Sequence, residues 1–201
     1  MQDPPPLVLA SRSTGCADLL RAAGVDFETV PASVDEAAVK AGMLAEDAPP
    51  RDIADALAEM KARQVAGRMP ERLVLGADQV LVCGGRLFDK PATVAEVGDQ
   101  LRDLRGRAHE LLSAAVIYEN AAPVWRHIGR SQLVMRTFSD SFLADYLTQQ
   151  GAAVTTTVGA YRLEAGGAQL FTRVQGDYFS VLGLPLLELL GFLRGRELIA
   201  T

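Results

Sequence analysis

LVLASRSTGCADLL, residues 7–20, decides the architecture. Leu7 to Ala10 reads as a short buried strand, and it breaks into Ser11, Arg12, Ser13, Thr14 and Gly15 before helical periodicity begins. Ser13 or Thr14 can cap a helix running to Ala23, with Cys16, Leu19, Leu20 and Ala23 on one face, and Gly24 ends it. A buried strand feeding straight into a helix is the opening of an α/β fold. The turn between them has two readings. It is a tight strand–helix junction, or it is a corner where hydroxyls, a guanidinium and free N–H groups hold an anion.

Outward from this stretch the pattern continues. Asp26 to Val30 alternates like a second strand, and 31–50 reads as a long loop carrying Asp35 and Glu36. A helix follows from about Asp52 to Arg68, with Ile53, Leu57, Met60 and Val65 on its apolar face. Lys61 falls inside that arc, so it either snorkels or points at something negative. Arg72 to Val82 is strand-like, and Cys83 to Arg86 is a hairpin turn. Thr93 and Glu96 form a capping box for a helix carrying Val94, Val97, Leu101 and Leu104. Leu111 to Tyr118 is apolar on both faces, as a central strand should be. Val124 to Phe138 supplies one or two further strands, Ser139 caps a helix through Gln149, and Pro185 opens a last helix, Leu186 to Arg194. No repeat or linker divides the chain. The expected fold is one α/β domain, residues 1–201, with a mixed twisted β-sheet flanked by helices.

Composition narrows the function classes. At 201 residues, 49% hydrophobic and 22% charged, the chain can bury a real core. A net charge of −5 gives no general attraction to nucleic acid or to acidic membranes. Cys16 and Cys83 are lone thiols without a CxxC motif or a nearby His, which points away from a disulfide framework or a zinc site. The MQDPPP start lacks the regions of a signal peptide, and no apolar run is long enough to span a bilayer. A cytoplasmic protein is expected.

Four pieces could carry chemistry. Asp78 sits in the middle of LVLGADQVLV, where a carboxylate is unfavourable unless paired, liganding a metal or facing a cleft. A hydrogen-bonded structural aspartate and a catalytic one are both consistent with that position. Lys90 precedes a helix start, Glu36 lies in the loop, and GDYFSVLGLP (176–185) is an apolar wall suited to closing over a ligand. Together they suggest a triphosphate pocket. Glu36 and Asp78 could hold a hard divalent ion, while Lys61 and Lys90 with Ser11 and Arg12 neutralise phosphate oxygens. One carboxylate could then activate water, because anhydride hydrolysis needs mainly positioning and charge stabilisation.

LASRS (9–13), DE (35–36), MKA (60–62), GADQV (76–80), KP (90–91), GAYRLE (159–164) and GDYFSVLGLP (176–185), in this order, resemble the Maf family of nucleoside triphosphate pyrophosphatases. The resemblance covers nearly the whole chain. It implies an α/β fold related to inosine triphosphate pyrophosphatases, often dimeric. It also implies a house-cleaning enzyme that uses Mg²⁺ or Mn²⁺ to cleave non-standard or modified triphosphates to monophosphate and pyrophosphate. Asp78 resembles the family's catalytic base, Glu36 a metal or water ligand, and Lys61 and Lys90 phosphate contacts, with Ser11, Arg12 and Ser13 at the phosphate corner. Gln79 and Glu164 resemble the 7-methyl-GTP branch, where a carboxylate can compensate a cationic methylated guanine. A solvated loop acid is the alternative for Glu164.

The match is poorest in the opening stretch. The family carries Ser-Pro-Arg-Arg or Ser-Pro-Trp-Arg there, and this chain has Ser13-Thr14-Gly15-Cys16. An aromatic that could stack on a base is Gly15, and an arginine that would grip phosphate is Cys16. Cys16 is expected to pack as a small buried residue. Thr156-Thr157-Val158 and Ser180 are further departures, from Asp-Lys-Ala and Asn. These losses motivate a second expectation, a paralogue that binds nucleotides without efficient turnover.

Overall fold

The opening strand, β1 (Leu7–Leu9), is fully buried and lies between two parallel neighbours, β2 (Phe27–Thr29) and β3 (Val74–Cys83). The computed structural model describes residues 7–200, so the MQDPPP start lies outside the described residues. The sheet continues antiparallel through β5 (Ala108–Glu119), β6 (Ala122–Met135) and β7 (Phe171–Gln175), while β4 (Arg86–Phe88) folds back on β3 through the Gly84-Gly85 hairpin. Parallel and antiparallel pairing thus coexist in one seven-stranded sheet, the mixed α/β fold expected.

The edge pairing of β3 creates an opening. β5 pairs with it from Val74 to Val82 along one edge. On the other edge β1 pairs only at Val74 and Leu75, and β4 only from Leu81 to Cys83. Among the described residues, 76–80, the GADQV segment, therefore have no strand partner on that side. A notch is left in the sheet, with Asp78 at its middle.

Helices α1 (Thr14–Ala22) and α7 (Leu186–Gly195) pack on one face over Leu9, Leu75 and Ala77. Helix α3 (Pro50–Ala66) covers the opposite face over Val8, Val74 and Val80. Helices α4 (Val94–Leu104) and α5 (Asp140–Gln150) close the far end over Leu81, Leu111 and Leu133. Alternation along β3 sorts its side chains between these layers: Leu75, Ala77 and Leu81 go one way, Val74 and Val80 the other. No helix among the described residues is long and apolar enough to cross a membrane.

Several sequence expectations are corrected. The stretch 31–50 is not wholly loop: Asp35 accepts a hydrogen bond from the Ala38 N–H and starts α2 (Glu36–Ala45). Four alanines, a leucine and a methionine sustain it, although none of its residues is fully buried. In α1 the buried positions are Ala17 and Leu20, with Cys16 and Leu19 partly covered and Ala23 exposed. Ser13 occupies the N-cap position without a side-chain cap bond, and its backbone N–H donates to Ser11 Oγ. Val94 at the start of α4 is exposed. Residues 176–185 contain a one-turn helix, α6 (Tyr178–Val181), capped by Asp177.

Candidate active site

The site is built on a close approach between a helix and a glycine. A Cβ at Gly76 would lie 2.1 Å from the Ala58 carbonyl oxygen and 2.6 Å from the Ala62 nitrogen. Only a residue without a side chain lets α3 sit this close to β3. Two residues along, on the same face of the strand, Asp78 meets the next turn of that helix. Its Oδ1 accepts a hydrogen bond from Lys61 Nζ at 2.6 Å, and the ammonium also lies 3.4 Å from the Ala77 carbonyl and 3.0 Å from Glu36 Oε1. The lysine placed in the apolar arc of α3 is thus aimed at two carboxylates.

Asp78 and Lys61 side chains are 11% and 12% exposed, so they are largely dehydrated yet reachable from the notch, and Glu36 stands at the solvent side. Burial lifts the Asp78 carboxyl above the usual carboxylate range; Lys61 pulls it back, Glu36 pushes it further up, and Lys40 opposes. Burial also works against the Lys61 charge, but Asp78 and Glu36 outweigh it and hold the ammonium above the ordinary lysine value. A carboxylate with a raised pKa, reachable from a cleft and held by a cation, can take a proton from water.

The opening turn borders the same cluster. Burial pushes the Cys16 thiol up to about 11, and the charges of Lys61, Asp78 and Lys90 are all felt there. Its Sγ lies 3.8 Å from the Gly183 carbonyl. The thiol is therefore protonated at neutral pH, packs against the α1–α7 layer and lies within electrostatic range of the cluster. Ser11 is buried and Ser13 exposed at the β1–α1 turn. At Gly15 a Cβ would have ordinary clearance, 3.8 Å from Ser13 Oγ and 4.0 Å from the Leu182 carbonyl. Lys90 is exposed in the β4–α4 connection.

Three of the expected residues are placed differently. Arg12 is exposed and its guanidinium lies 3.5 Å from Ser33 Oγ, with no contact to Asp78 among its hydrogen bonds. Gln79, on the opposite face of β3, donates its amide to Ser113 Oγ at 2.8 Å and to the Ser180 and Val181 carbonyls at 3.0 and 3.1 Å. Ser113 donates to the same Ser180 carbonyl at 2.6 Å. Gln79 thus ties α6 to the sheet and makes that wall a fixed one. Glu164 is exposed and accepts from Arg162 Nε at 2.8 Å.

One residue of this neighbourhood escaped the sequence reading. Lys40, one turn beyond Glu36 on α2, pairs with Asp89, the residue before Lys90. The signal for it is the helical run after the Asp35 cap, which sets Lys40 one turn from Glu36.

Among the described residues, no group of three or more His, Cys, Asp or Glu could hold a metal ion. The protein's donor set is Glu36 and Asp78, with the Lys61 ammonium between them. Two carboxylates fit a magnesium ion that arrives with phosphate and water ligands, rather than one caged by protein alone.

The family model described as "Maf-like protein" matches residues 6–196. A nucleoside triphosphate pyrophosphatase of Ruegeria pomeroyi is 52% identical over 98% of both chains. The Caulobacter vibrioides protein of the same name is 50% identical over 94% of each. A third relative, nucleoside triphosphate pyrophosphatase 1 of Jannaschia, is 48% identical over 96% of this chain and 98% of its own. A solved nucleoside-triphosphatase / dITP/XTP pyrophosphatase from Mycobacterium abscessus aligns over 96% of this chain and 95% of its own. Its 17% identity and TM-score of 0.38 are too low for any residue to be transferred from it. With the ordered motifs, the full-length match and relatives at about half identity in agreement, the chain belongs to the Maf-like protein family.

Proposed function

We propose that this chain is a nucleoside triphosphate pyrophosphatase whose chemistry is centred on Asp78. The observation that supports it most directly is the largely dehydrated Asp78–Lys61 pair, with Glu36 at its solvent side, opening into the notch of the sheet. The names of relatives at about 50% identity agree with it. In this reading Asp78 takes a proton from water, the water oxygen bonds to the α-phosphorus, and the α–β bridging P–O bond breaks to release pyrophosphate. Lys61 and Lys90 balance charge on the phosphate oxygens. Glu36 and Asp78 would hold the Mg²⁺ or Mn²⁺ that arrives with the triphosphate; a bound ion of this kind supplies charge stabilisation.

The base is a finer matter. The Gln79–Glu164 pair favours a 7-methyl-GTP-like substrate by resemblance, but Gln79 uses its amide hydrogens on Ser113 and α6, and Glu164 pairs with Arg162. We therefore commit to the anhydride chemistry, with 7-methyl-GTP as the first of a substrate panel, in a cytoplasmic house-cleaning role. The test is pyrophosphate release from that panel with Mg²⁺ or Mn²⁺, against Asp78→Asn. Release that depends on Asp78 supports the proposal; no release above the variant for any triphosphate overturns it. One observation favours a second reading. Position 16 lies within electrostatic range of the cluster and holds a protonated thiol, so the corner has one cation fewer than the family pattern. Calorimetric binding of the same triphosphates without turnover would select that binding-only paralogue.

A further inference from the structure

The strongest unassigned feature of the molecule is the pairing of Lys40 with Asp89 at the mouth of the notch. Helix α2 has no fully buried residue, and its apolar contribution is limited to partly covered Val39 and Met43 against the α3 layer. Two ion pairs reach from it across the opening: Glu36 to Lys61, and Lys40 to Asp89. Residues 36 and 40 are four apart and share one edge of the helix. The two partners of the second pair are unequal. Lys40 is 20% exposed and turned inward, whereas Asp89 is 69% exposed. Pairs with an exposed partner contribute little to stability. Its charge also acts on Asp78, so the ammonium lies within electrostatic range of the cluster it overhangs.

We propose that Lys40 is a third phosphate-binding lysine, held on Asp89 here and transferred to the polyphosphate when nucleotide enters, which draws α2 over the site. This inference rests on the proposed pyrophosphatase reading. Three lysines (40, 61 and 90) and three carboxylates (Glu36, Asp78 and Asp89) make the resting cluster neutral. A polyphosphate is a denser anion than one exposed carboxylate, so Lys40 exchanges a weak partner for a stronger one. Asp89 is then a decoy that competes with phosphate, and its removal helps binding. A merely structural ion pair behaves differently, because both partners then matter alike.

The experiment is calorimetric binding of inorganic pyrophosphate and of GMP, each with Mg²⁺, to the full chain. Wild type is compared with Lys40→Met, Lys40→Arg, Asp89→Asn and Lys61→Met. The expected result is pyrophosphate binding weakened about 10- to 100-fold in Lys40→Met, the loss of one charge-assisted contact. Lys40→Arg should restore most of it, Asp89→Asn should bind at least as tightly as wild type, and GMP affinity should change less than pyrophosphate affinity in Lys40→Met. Wild-type pyrophosphate affinity in Lys40→Met, or equal weakening in Lys40→Met and Asp89→Asn, overturns the role of Lys40 alone. Pyrophosphate binding that is also indifferent to Lys61→Met overturns the underlying site reading and this inference with it. Thermal melts of each variant separate loss of fold from loss of binding.

Discussion

Gly76→Ala is the substitution in which fold and site should fail together. The added Cβ would stand 2.1 Å from the Ala58 oxygen, 2.6 Å from the Ala62 nitrogen and 3.0 Å from the Ala62 Cβ. The two nearest are backbone atoms of a buried helix, and the third is a Cβ fixed to that backbone, so none can swing aside. Ordinary contact begins near 3.4 Å, so relief of the worst clash needs α3 to retreat by about 1.3 Å. Overpacking of this kind destabilises by about 1–3 kcal/mol, which for a chain of this length is a fall in melting temperature of about 4–8 °C at the middle of that range. Lys61, next to Ala62, moves with the helix, and its 2.6 Å contact with Asp78 lengthens beyond hydrogen-bond distance or is kept only by a strained side chain. A displacement of about 1 Å at a catalytic group can remove about 100-fold in rate. The assay is a melt followed by pyrophosphate release at a temperature where the variant is still folded. Gly15→Ala is the control for glycine replacement, since its Cβ would meet nothing closer than 3.8 Å and its melting temperature should stay within about 2 °C. If Gly76→Ala melts and turns over like wild type, the close helix–strand approach does not position the site and the reasoning is refuted.

Lys61→Met leaves a dehydrated Asp78 without its cation and should destabilise by about 3 kcal/mol in urea unfolding at pH 7. The double variant Lys61→Met/Asp78→Asn should recover most of that stability while remaining inactive; a double variant no more stable than the single one would contradict the pairing. Because burial raises the Asp78 carboxyl, turnover should fall on acidification at a pH above the ordinary carboxylate range, and a pH–rate profile for kcat/KM reads that limb. His109 is 2% exposed, its Nε2 lies 2.8 Å from the Tyr161 hydroxyl, and burial drops its pKa to about 4. The unfolded chain takes up that proton near 6.5 and the folded one only near 4, so this contribution to stability is complete above pH 6.5 and is lost as pH falls toward 4. Denaturant titrations of His109→Phe should show the pH 7 to pH 4 loss reduced by about 3 kcal/mol, and an unchanged slope would remove His109 as its source. Cys16→Arg should raise kcat/KM by about one to two decades if the site lacks only that cation, and no gain would exclude the missing arginine as the limiting feature.

Much of the site was legible because its residues are chemically out of place. A carboxylate inside LVLGADQVLV and a lysine inside an apolar helical arc are each unfavourable alone, so two such residues invite the pairing that Lys61 and Asp78 make. Lys40 was not legible, because α2 is a weakly packed helix that the Pro31–Pro50 boundaries made look like loop. Arg12 and Gln79 were visible as residue types but not as orientations. Whether a strand-end arginine turns toward a cleft or toward Ser33, and whether an amide faces a ligand or a neighbouring helix, depends on atoms distant in sequence.

Hydrophobic periodicity and capping signals are local, and they determined the opening strand and helix, the start of α4, the span of α5 and the burial of β1, β3 and β5, whereas α2, α6 and β7 were not legible from them. Only the tertiary structure decided that β1 and β4 meet the same edge of β3 and stop short of each other, opening the notch at 76–80. Strand pairing is a contact between segments far apart along the chain. Its register is set by how whole layers pack, and no window of sequence contains that information.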